Sequence, residues 1–317
     1  MSSKNPRIVF MGTPELAAFI LDELLKASLN IVTVVTAPDK PAGRGRKLRQ
    51  SPVKLIAAEK NIPLLQPENL KDPAFLSKLT EIRPDIQIVV AFRMLPEAVW
   101  SIPSIGTFNM HASLLPDYRG AAPINWTIIN GEKITGVTTF LIDHKIDTGN
   151  ILLRKEISID PYETAGSLHE KIKHEGAAIV LNTTKALCNQ TVRPIPQSEL
   201  IKPEEKLNLA PKIHKEDCQI NWNQPVAKII NFIHGLSPIP GAYCKCELAD
   251  GQVTNIKIFE ARPVPAKHEH PTGHLITNNK DELLFAAKNG FVQVLQLQLP
   301  GKKRMRVDDL LRGYQFS

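Results

Sequence analysis

The sequence predicts a mostly parallel α/β sheet with helices on both faces, followed by a small β-barrel. Three observations carry this. Short apolar, β-branched runs alternate with helical segments of about 10–15 residues as far as residue 188. A stretch punctuated by Pro194, Pro196 and Pro203 then breaks the pattern. Beyond it come short strand-like runs bounded by Gly, Pro, Asn or Asp. A length of 317 residues suits two domains. The expected division is an α/β domain over 1–192, a linker over 193–210 and a barrel over 211–317.

Residues 7–11 form a β-branched and aromatic run, and Gly12-Thr13-Pro14 ends it. Pro14 suits the first turn of a helix running to about residue 27. Residues 31–36 and 85–91 are continuous apolar runs, the pattern of strands buried on both faces. Helices are expected over 51–61 and 72–82, each opened by a residue–proline pair, and over 122–130. Residues 107–110, 137–142 and 151–157 read as strands, and 163–187 as one long helix. The second domain offers a short helix over 225–234, strands at 243–249, 255–261, 273–277, 283–287 and 291–298, and a last helix at 307–311. The first part is thus Rossmann-like and the second OB-like.

Hydrophobic residues are 43% and charged residues 22%, an ordinary globular balance. No apolar run reaches the ~20 residues needed to span a bilayer. The first residues do not read as a signal peptide, because Gly12-Thr13-Pro14 breaks a short apolar run. Four cysteines make no disulfide scaffold, so a reducing cytoplasm is expected. The net charge of +7 is localised. Residues 36–54 hold six basic side chains (Lys40, Arg44, Arg46, Lys47, Arg49, Lys54) and one acid, Asp39. Residues 208–317 hold fourteen basic and ten acidic. Such patches serve a polyanionic partner or are simply solvated loops.

The loop after the first strand has neither G-x-G-x-x-G nor a Walker lysine, against nicotinamide binding and against a P-loop. No G-x-S-x-G elbow supports an acyl-enzyme. The richest stretch is GTFNMHASLLPDYRG, residues 106–120. Asn109 and His111 are two apart on a strand, hence on one face, where an amide and an imidazole can stabilise an oxyanion. Asp147, in the turn IDHKIDTGN, can set the charge and orientation of the imidazole. On spacing alone, a lone Asn, His and Asp in loops are more often ordinary capping or surface groups. Cys244-x-Cys246 lacks a second ligand pair, so no metal is expected. His268, His270 and His274 read as solvated, and Trp126 and Trp222 as packing residues.

Asn109-x-His111, Ser113-Leu114-Leu115-Pro116-x-Tyr118-Arg119-Gly120 and Asp147-Thr148-Gly149 together resemble the signature of the 10-formyltetrahydrofolate-dependent formyltransferases. Further blocks are similar to the branch acting on initiator methionyl-tRNA: Phe10-x-Gly12-Thr13-Pro14, Pro38-Asp39-x-Pro41-Ala42-Gly43-Arg44-Gly45, Ser51-Pro52-Val53-Lys54, Gln66-Pro67, Ala210-Pro211-Lys212 and Pro238-x-Pro240-Gly241-Ala242. The resemblance implies a catalytic trio of Asn109, His111 and Asp147, with 10-formyltetrahydrofolate as formyl donor and no metal. It implies a folate site from Ser113, Leu114, Leu115 and Pro116, with Phe92, Met94 and Leu95 beside the pterin. Phe92-Arg93 stands where a Tyr-Gly type pair is usual, and Arg93 is expected to turn outward. Asp143–Ile146 also departs from the commoner acidic-glycine form. The tRNA is expected to meet Lys40, Arg44, Arg46, Lys47 and Arg49 in the first domain and Lys302, Lys303 and Arg304 in the second. A monomer without membrane contact is the default expectation.

Overall fold

The structure is a computed structural model that describes residues 5–42, 47–201, 204 and 206–316. The chain divides into two compact units. One comprises Met1–Gly120, Gly136–Ile157 and Lys171–Asn208, the other Ala121–Thr135, Ser158–Glu170 and Leu209–Ser317. The division is not a single cut, because two short pieces of the amino-terminal sequence fold with the carboxy-terminal unit.

Strand β1 (Ile8–Gly12) is buried throughout and pairs in parallel with β2 (Ile31–Val35) and with β6 (Ile86–Val90). Between β1 and β2 runs α1 (Glu15–Lys26), which turns Leu16, Ala17, Ile20, Leu21 and Leu24 inward. Gly12 is required at that corner, since a Cβ there would lie 2.5 Å from the Ala17 Cβ. A two-stranded hairpin, β3 (Lys40–Ala42) and β4 (Lys47–Arg49), precedes α2 (Pro52–Glu59). Ser51 caps α2 by accepting from the Lys54 N–H, and Asp72 caps α3 (Pro73–Glu81) by accepting from the Ala74 N–H. Strand β5 (Leu64–Leu65) lies beside β2 at the sheet edge. A short α4 (Glu97–Trp100) leads to β7 (Gly106–His111), parallel to β6.

After the two-residue β8 (Arg119–Gly120) and α5 (Pro123–Ile129), β9 (Ile134–Leu141) runs antiparallel to β7. Strand β10 (Ile151–Ser158) closes that edge. The sheet order is β10-β9-β7-β6-β1-β2-β5. It is the Rossmann-like, mostly parallel sheet expected, with β9 antiparallel to β7. The long helix α6 (Ala165–Cys188) follows. Residues 195–200, within the stretch expected as a linker, make ordered contacts. Ile195 exchanges backbone hydrogen bonds with Ile151, and a 3₁₀ turn over Gln197–Leu200 buries Gln197.

In the second unit, the two-residue β11 (Leu209–Ala210) precedes α7 (Val226–Gly235). Strands β12 (Ala242–Glu247), β13 (Val253–Val264), β14 (Leu275–Thr277), β15 (Leu283–Ala287), β16 (Gly290–Gln298) and β17 (Met305–Arg306) form a curled antiparallel sheet. It is a half-barrel of the OB-like kind. Alternate residues Ile256, Ile258 and Val292, Val294 point inward with Leu283, Phe285 and Leu297. Ile229, Ile230 and Ile233 of α7 and Val307, Leu310 and Leu311 of α8 (Val307–Leu311) join this core. Trp222 stacks on Phe285 at 4.3 Å between centroids, and the Trp126 indole N–H donates to the Pro211 carbonyl, so both tryptophans are spent on packing. No helix among the described residues is long and apolar enough to cross a membrane.

Candidate active site

Asn109 and His111 stand on β7, between β6 and β9; Asn109 is paired with Val89 and with Phe140, and His111, at the strand end, with Thr138 of β9. Their shared face follows from strand alternation. Asn109 is half-buried, and its buried Oδ1 has no hydrogen-bond partner among the described residues. An unpaired buried oxygen costs about 1–3 kcal/mol, which a ligand N–H or O–H would recover. The His111 Nε2 lies 2.9 Å from the Tyr118 carbonyl, which accepts and so fixes a hydrogen on Nε2. That leaves Nδ1 facing Asp147, 3.7 Å from Oδ2, with the two side chains 7% and 12% exposed. A carboxylate so placed stabilises positive charge developing on the imidazole.

Asp147 sits in the turn between β9 and β10 with φ 55, a left-handed conformation that aspartate tolerates. Its Oδ2 also accepts from the Gly120 N–H at 3.0 Å. Asp143 organises the same turn, accepting from the Lys145 N–H and the Thr148 hydroxyl, each at 2.9 Å. Gly149 ends the turn without alternative, because a Cβ there would fall 1.7 Å from the Leu141 carbonyl oxygen.

The run after His111 is pinned by Thr138, whose hydroxyl donates to the Ser113 carbonyl and accepts from the Leu115 N–H. The Ser113 hydroxyl donates to the Asp117 carbonyl. Leu115 is buried with Phe140 and Ile151. Pro116 is buried and Leu114 half-buried. Ser113 and Leu115 therefore spend their side chains on holding the segment. In the 91–96 loop, Leu95 and Phe92 pack into the cluster of Val9, Met11, Val35 and Val89, which Ile142 also joins. Met94 is 66% exposed.

Arg93 does not turn outward as expected. It is half-buried, donates to the Pro67 and Glu68 carbonyls, and lies over the Phe92 ring. Those carbonyls capture its forked donors, and burial pushes the guanidinium below its ordinary range.

Of the charged candidates, Lys40 and Arg49 are exposed and paired across the β3–β4 hairpin. Lys47 is a residue of β4, and Arg44 and Arg46 lie outside the described residues. The hairpin base is tightly held. Lys54 donates to Asp39 at 2.6 Å, Gln66 donates to Asp39 and to the Ala37 carbonyl, and the Thr36 and Ser51 hydroxyls meet at 2.8 Å. The hydrogen bonds from Lys54 and then Gln66 hold the Asp39 carboxyl below its usual range.

In the second unit, Lys302, Lys303 and Arg304 lie in the exposed turn between β16 and β17. The Arg304 Nε donates to Gln296, and its guanidinium sits 4.7 Å from the Phe259 ring centroid. His268 is not solvated as expected. It is half-buried, its Nε2 lies within 2.8 Å of the Ala287 carbonyl, and its ring leans on Phe291. Cys244 and Cys246 point into the core as free thiols, and burial pushes Cys246 up to about 12. The described residues contain no cluster of three metal-ligating side chains. Sequence reasoning missed Gln197, which donates to the backbone of the Asp147 turn and carries no local pattern to reveal it.

Two family models match the chain: Formyl transferase over residues 6–184, and Formyl transferase, C-terminal domain, over residues 212–315. The methionyl-tRNA formyltransferase of Bacteroides thetaiotaomicron is 50% identical over 317 residues, covering 100% of this chain and 98% of its own. That of Flavobacterium johnsoniae is 51% identical over 311 residues, 98% of this chain and 97% of its own. Among solved structures, HypX from Aquifex aeolicus in complex with tetrahydrofolic acid superposes with a TM-score of 0.64 at 18% identity. The match covers 97% of this chain but only 47% of HypX. An N-formyltransferase from Helicobacter canadensis gives 0.64 at 19% identity over 90% of this chain and 98% of its own. These two likenesses concern the fold. With both models matched in order and half the residues shared with full-length relatives, the chain belongs to the formyl transferase family.

Proposed function

We infer that the chain moves the formyl group of 10-formyltetrahydrofolate to the α-amino group of methionine on initiator methionyl-tRNA. One observation carries the reading: relatives that share half of its residues from end to end are methionyl-tRNA formyltransferases. The cluster of Asn109, His111 and Asp147 supports the chemistry.

The amine nitrogen attacks the formyl carbon, and a tetrahedral intermediate forms with negative charge on the former carbonyl oxygen. Asn109 donates to that oxygen from its amide N–H, and protonated His111, whose Nε2–H is held by the Tyr118 carbonyl, donates from Nδ1–H, each contact worth about 3–4 kcal/mol in a preorganised site. Asp147 stabilises the charged imidazole and takes part in moving the amine proton. The bond to N10 then breaks, the proton ends on N10, and tetrahydrofolate leaves. No enzyme nucleophile is needed, in keeping with the absence of an elbow serine in the sequence. The pterin end is assigned to residues 92–96 and the segment nearer the formyl group to 113–116. The tRNA is assigned to the hairpin around Lys40–Arg49 and to the 302–304 turn. The protein is expected to work in the cytoplasm as a monomer.

Transfer of labelled formyl from 10-formyltetrahydrofolate to charged initiator tRNA tests the reading. Label on methionine is the expected result. Label released as formate, or passed only to a small amine such as an amino sugar, overturns it.

A further inference from the structure

The three groups of the cluster are held in different ways. Asn109 is paired on both sides, with Val89 of β6 and Phe140 of β9, and His111 is paired with Thr138 of β9. Asp147 stands in a turn, in a left-handed conformation. A carboxylate that must stay within 3.7 Å of His111 Nδ1 needs that turn fixed from elsewhere. Gln197, fifty positions further along, is 4% exposed beside it. Its Nε2 donates to the Asp147 and Gly149 carbonyls, each at 2.9 Å. Its Oε1 accepts from the Arg119 Nε at 3.0 Å and Nη2 at 2.5 Å. Both amide hydrogens and the amide oxygen are thus committed. The backbone exchange between Ile195 and Ile151 fixes the approach of this residue.

Arg119 sits between two residues that touch the cluster directly. The Tyr118 carbonyl accepts from His111, and the Gly120 N–H donates to Asp147. Three consecutive residues therefore hold the imidazole, the Gln197 amide and the carboxylate. We propose that Gln197 is a positioning residue for formyl transfer. It ties the Asp147–Gly149 turn to Arg119 and so sets how the carboxylate meets His111. The proposal rests on the formyl-transfer reading above. Gln197 acts only through Asp147. Glutamine fits because two carbonyls need donors while the guanidinium needs an acceptor. Glutamate keeps the acceptor but sets a carboxylate against two carbonyls. Alanine leaves two carbonyls and a guanidinium unpaired.

The test is steady-state formylation of methionyl-tRNA by full-length Gln197→Ala and Gln197→Glu, each alone and combined with Asp147→Asn. Parent activity is measured first, and its absence removes the function reading rather than the role of Gln197 within it. Each single variant should lose roughly 10- to 100-fold in kcat, the scale of a slight misplacement. KM for either substrate should stay within about threefold, since loss in kcat alone marks an interaction made in the transition state. In the Asp147→Asn background the Gln197 changes should cost nothing further, because groups acting as one unit are not additive. A folded Gln197→Ala enzyme within about twofold of the parent kcat overturns the proposal. So does a full additional loss on top of Asp147→Asn, or a change confined to KM. If Gln197→Ala does not fold, the isosteric Gln197→Glu carries the same test. Failure of both to fold assigns the residue to stability alone and overturns the proposal.

Discussion

Each unit buries a histidine, and the two have opposite neighbours. His111 in the first unit faces the Asp147 carboxylate and donates from Nε2 to a carbonyl. His234 in the second is 1% exposed, and its Nε2 accepts from the Ala261 N–H at 3.2 Å. Burial, and then the positive charge of Arg262, push His234 down to about 4. Tyr162 stands edge-on to the His234 ring and carries the Arg262 guanidinium on its face. Burial therefore does not distinguish a reactive imidazole from a structural one; the partners do. A carboxylate and a carbonyl acceptor suit a ring that must carry charge. Burial first, and then a guanidinium in place of a carboxylate, keep the second ring neutral.

The largest effect should come from breaking the first arrangement. His111→Ala and Asp147→Asn should each lower the formylation rate at least ~100-fold, the scale of lost oxyanion or proton-transfer groups. Thermal unfolding should move little. Near-parent turnover in a folded His111→Ala enzyme would reduce His111 to a second structural histidine.

The second arrangement should show itself in stability. Above pH ~6.5, His234 is neutral in the folded and the unfolded chain and contributes no pH dependence. Below that, the unfolded chain takes up a proton that the folded chain refuses until about 4. Stability should therefore fall with decreasing pH across that window, by at most about 3 kcal/mol from this one residue. His234→Gln keeps an acceptor for Ala261 and should flatten that part of the pH–stability curve, with kcat within about twofold. An unchanged slope in unfolding measurements at pH 4 to 6.5 would show that the fold does not hold His234 neutral.

The same contrast separates what is readable in the sequence from what is not. Asn109 and His111 pair up by alternation alone, and Asp147 stands out through its turn motif. Helix ends at Ser51-Pro52 and Asp72-Pro73 announce themselves through caps. Gln197 is different: its partners lie about fifty and eighty positions away, and no periodicity records them. Arg93 defeats a local reading for the same reason, since its carbonyl partners belong to a loop twenty-five positions earlier. His268 looks solvated among prolines until Phe291 and the Ala287 carbonyl fold against it. The placing of residues 121–135 with the second unit has a comparable cause. Asn125 donates to the Gly235 carbonyl, and Gly235 lets α7 approach Ile129 closely enough that a Cβ would stand 2.5 Å away.

A smaller effect is expected in the β3–β4 hairpin of the first unit, where capture and not chemistry is at stake. Its base is pinned by Asp39, Lys54 and Gln66. Arg44→Ala should raise KM for methionyl-tRNA roughly tenfold, within the range of one lost arginine contact to nucleic acid. The dissociation constant of the formyl donor should not change. A shift in folate binding alone would move Arg44 out of the tRNA site and into the chemistry of the first unit.

The smallest effects belong to the 302–304 turn of the second unit, and they should divide its three cations. Arg304 is committed to Gln296 and to the Phe259 ring, and burial lowers its pKa, so it acts partly as a packing residue. Lys302 and Lys303 are exposed, with Lys302 only skirting the Tyr314 ring at 6.0 Å. If these lysines meet phosphates, each change to alanine removes one counterion-releasing contact. The slope of log affinity against log salt should then become shallower by about 0.9 per lysine, with affinity near physiological salt falling roughly threefold. The loss should be the same for initiator and elongator tRNAs, because phosphate contacts position a ligand without reading its bases. Arg304→Ala should in addition lower the unfolding temperature, since it takes cover from Phe259 and a donor from Gln296. The measurement is a titration of full-length parent and variants with tRNA at several salt concentrations, beside a thermal melt. Identical salt slopes in the parent and the double lysine variant would show that this turn of the second unit does not touch tRNA, leaving capture to the hairpin of the first unit.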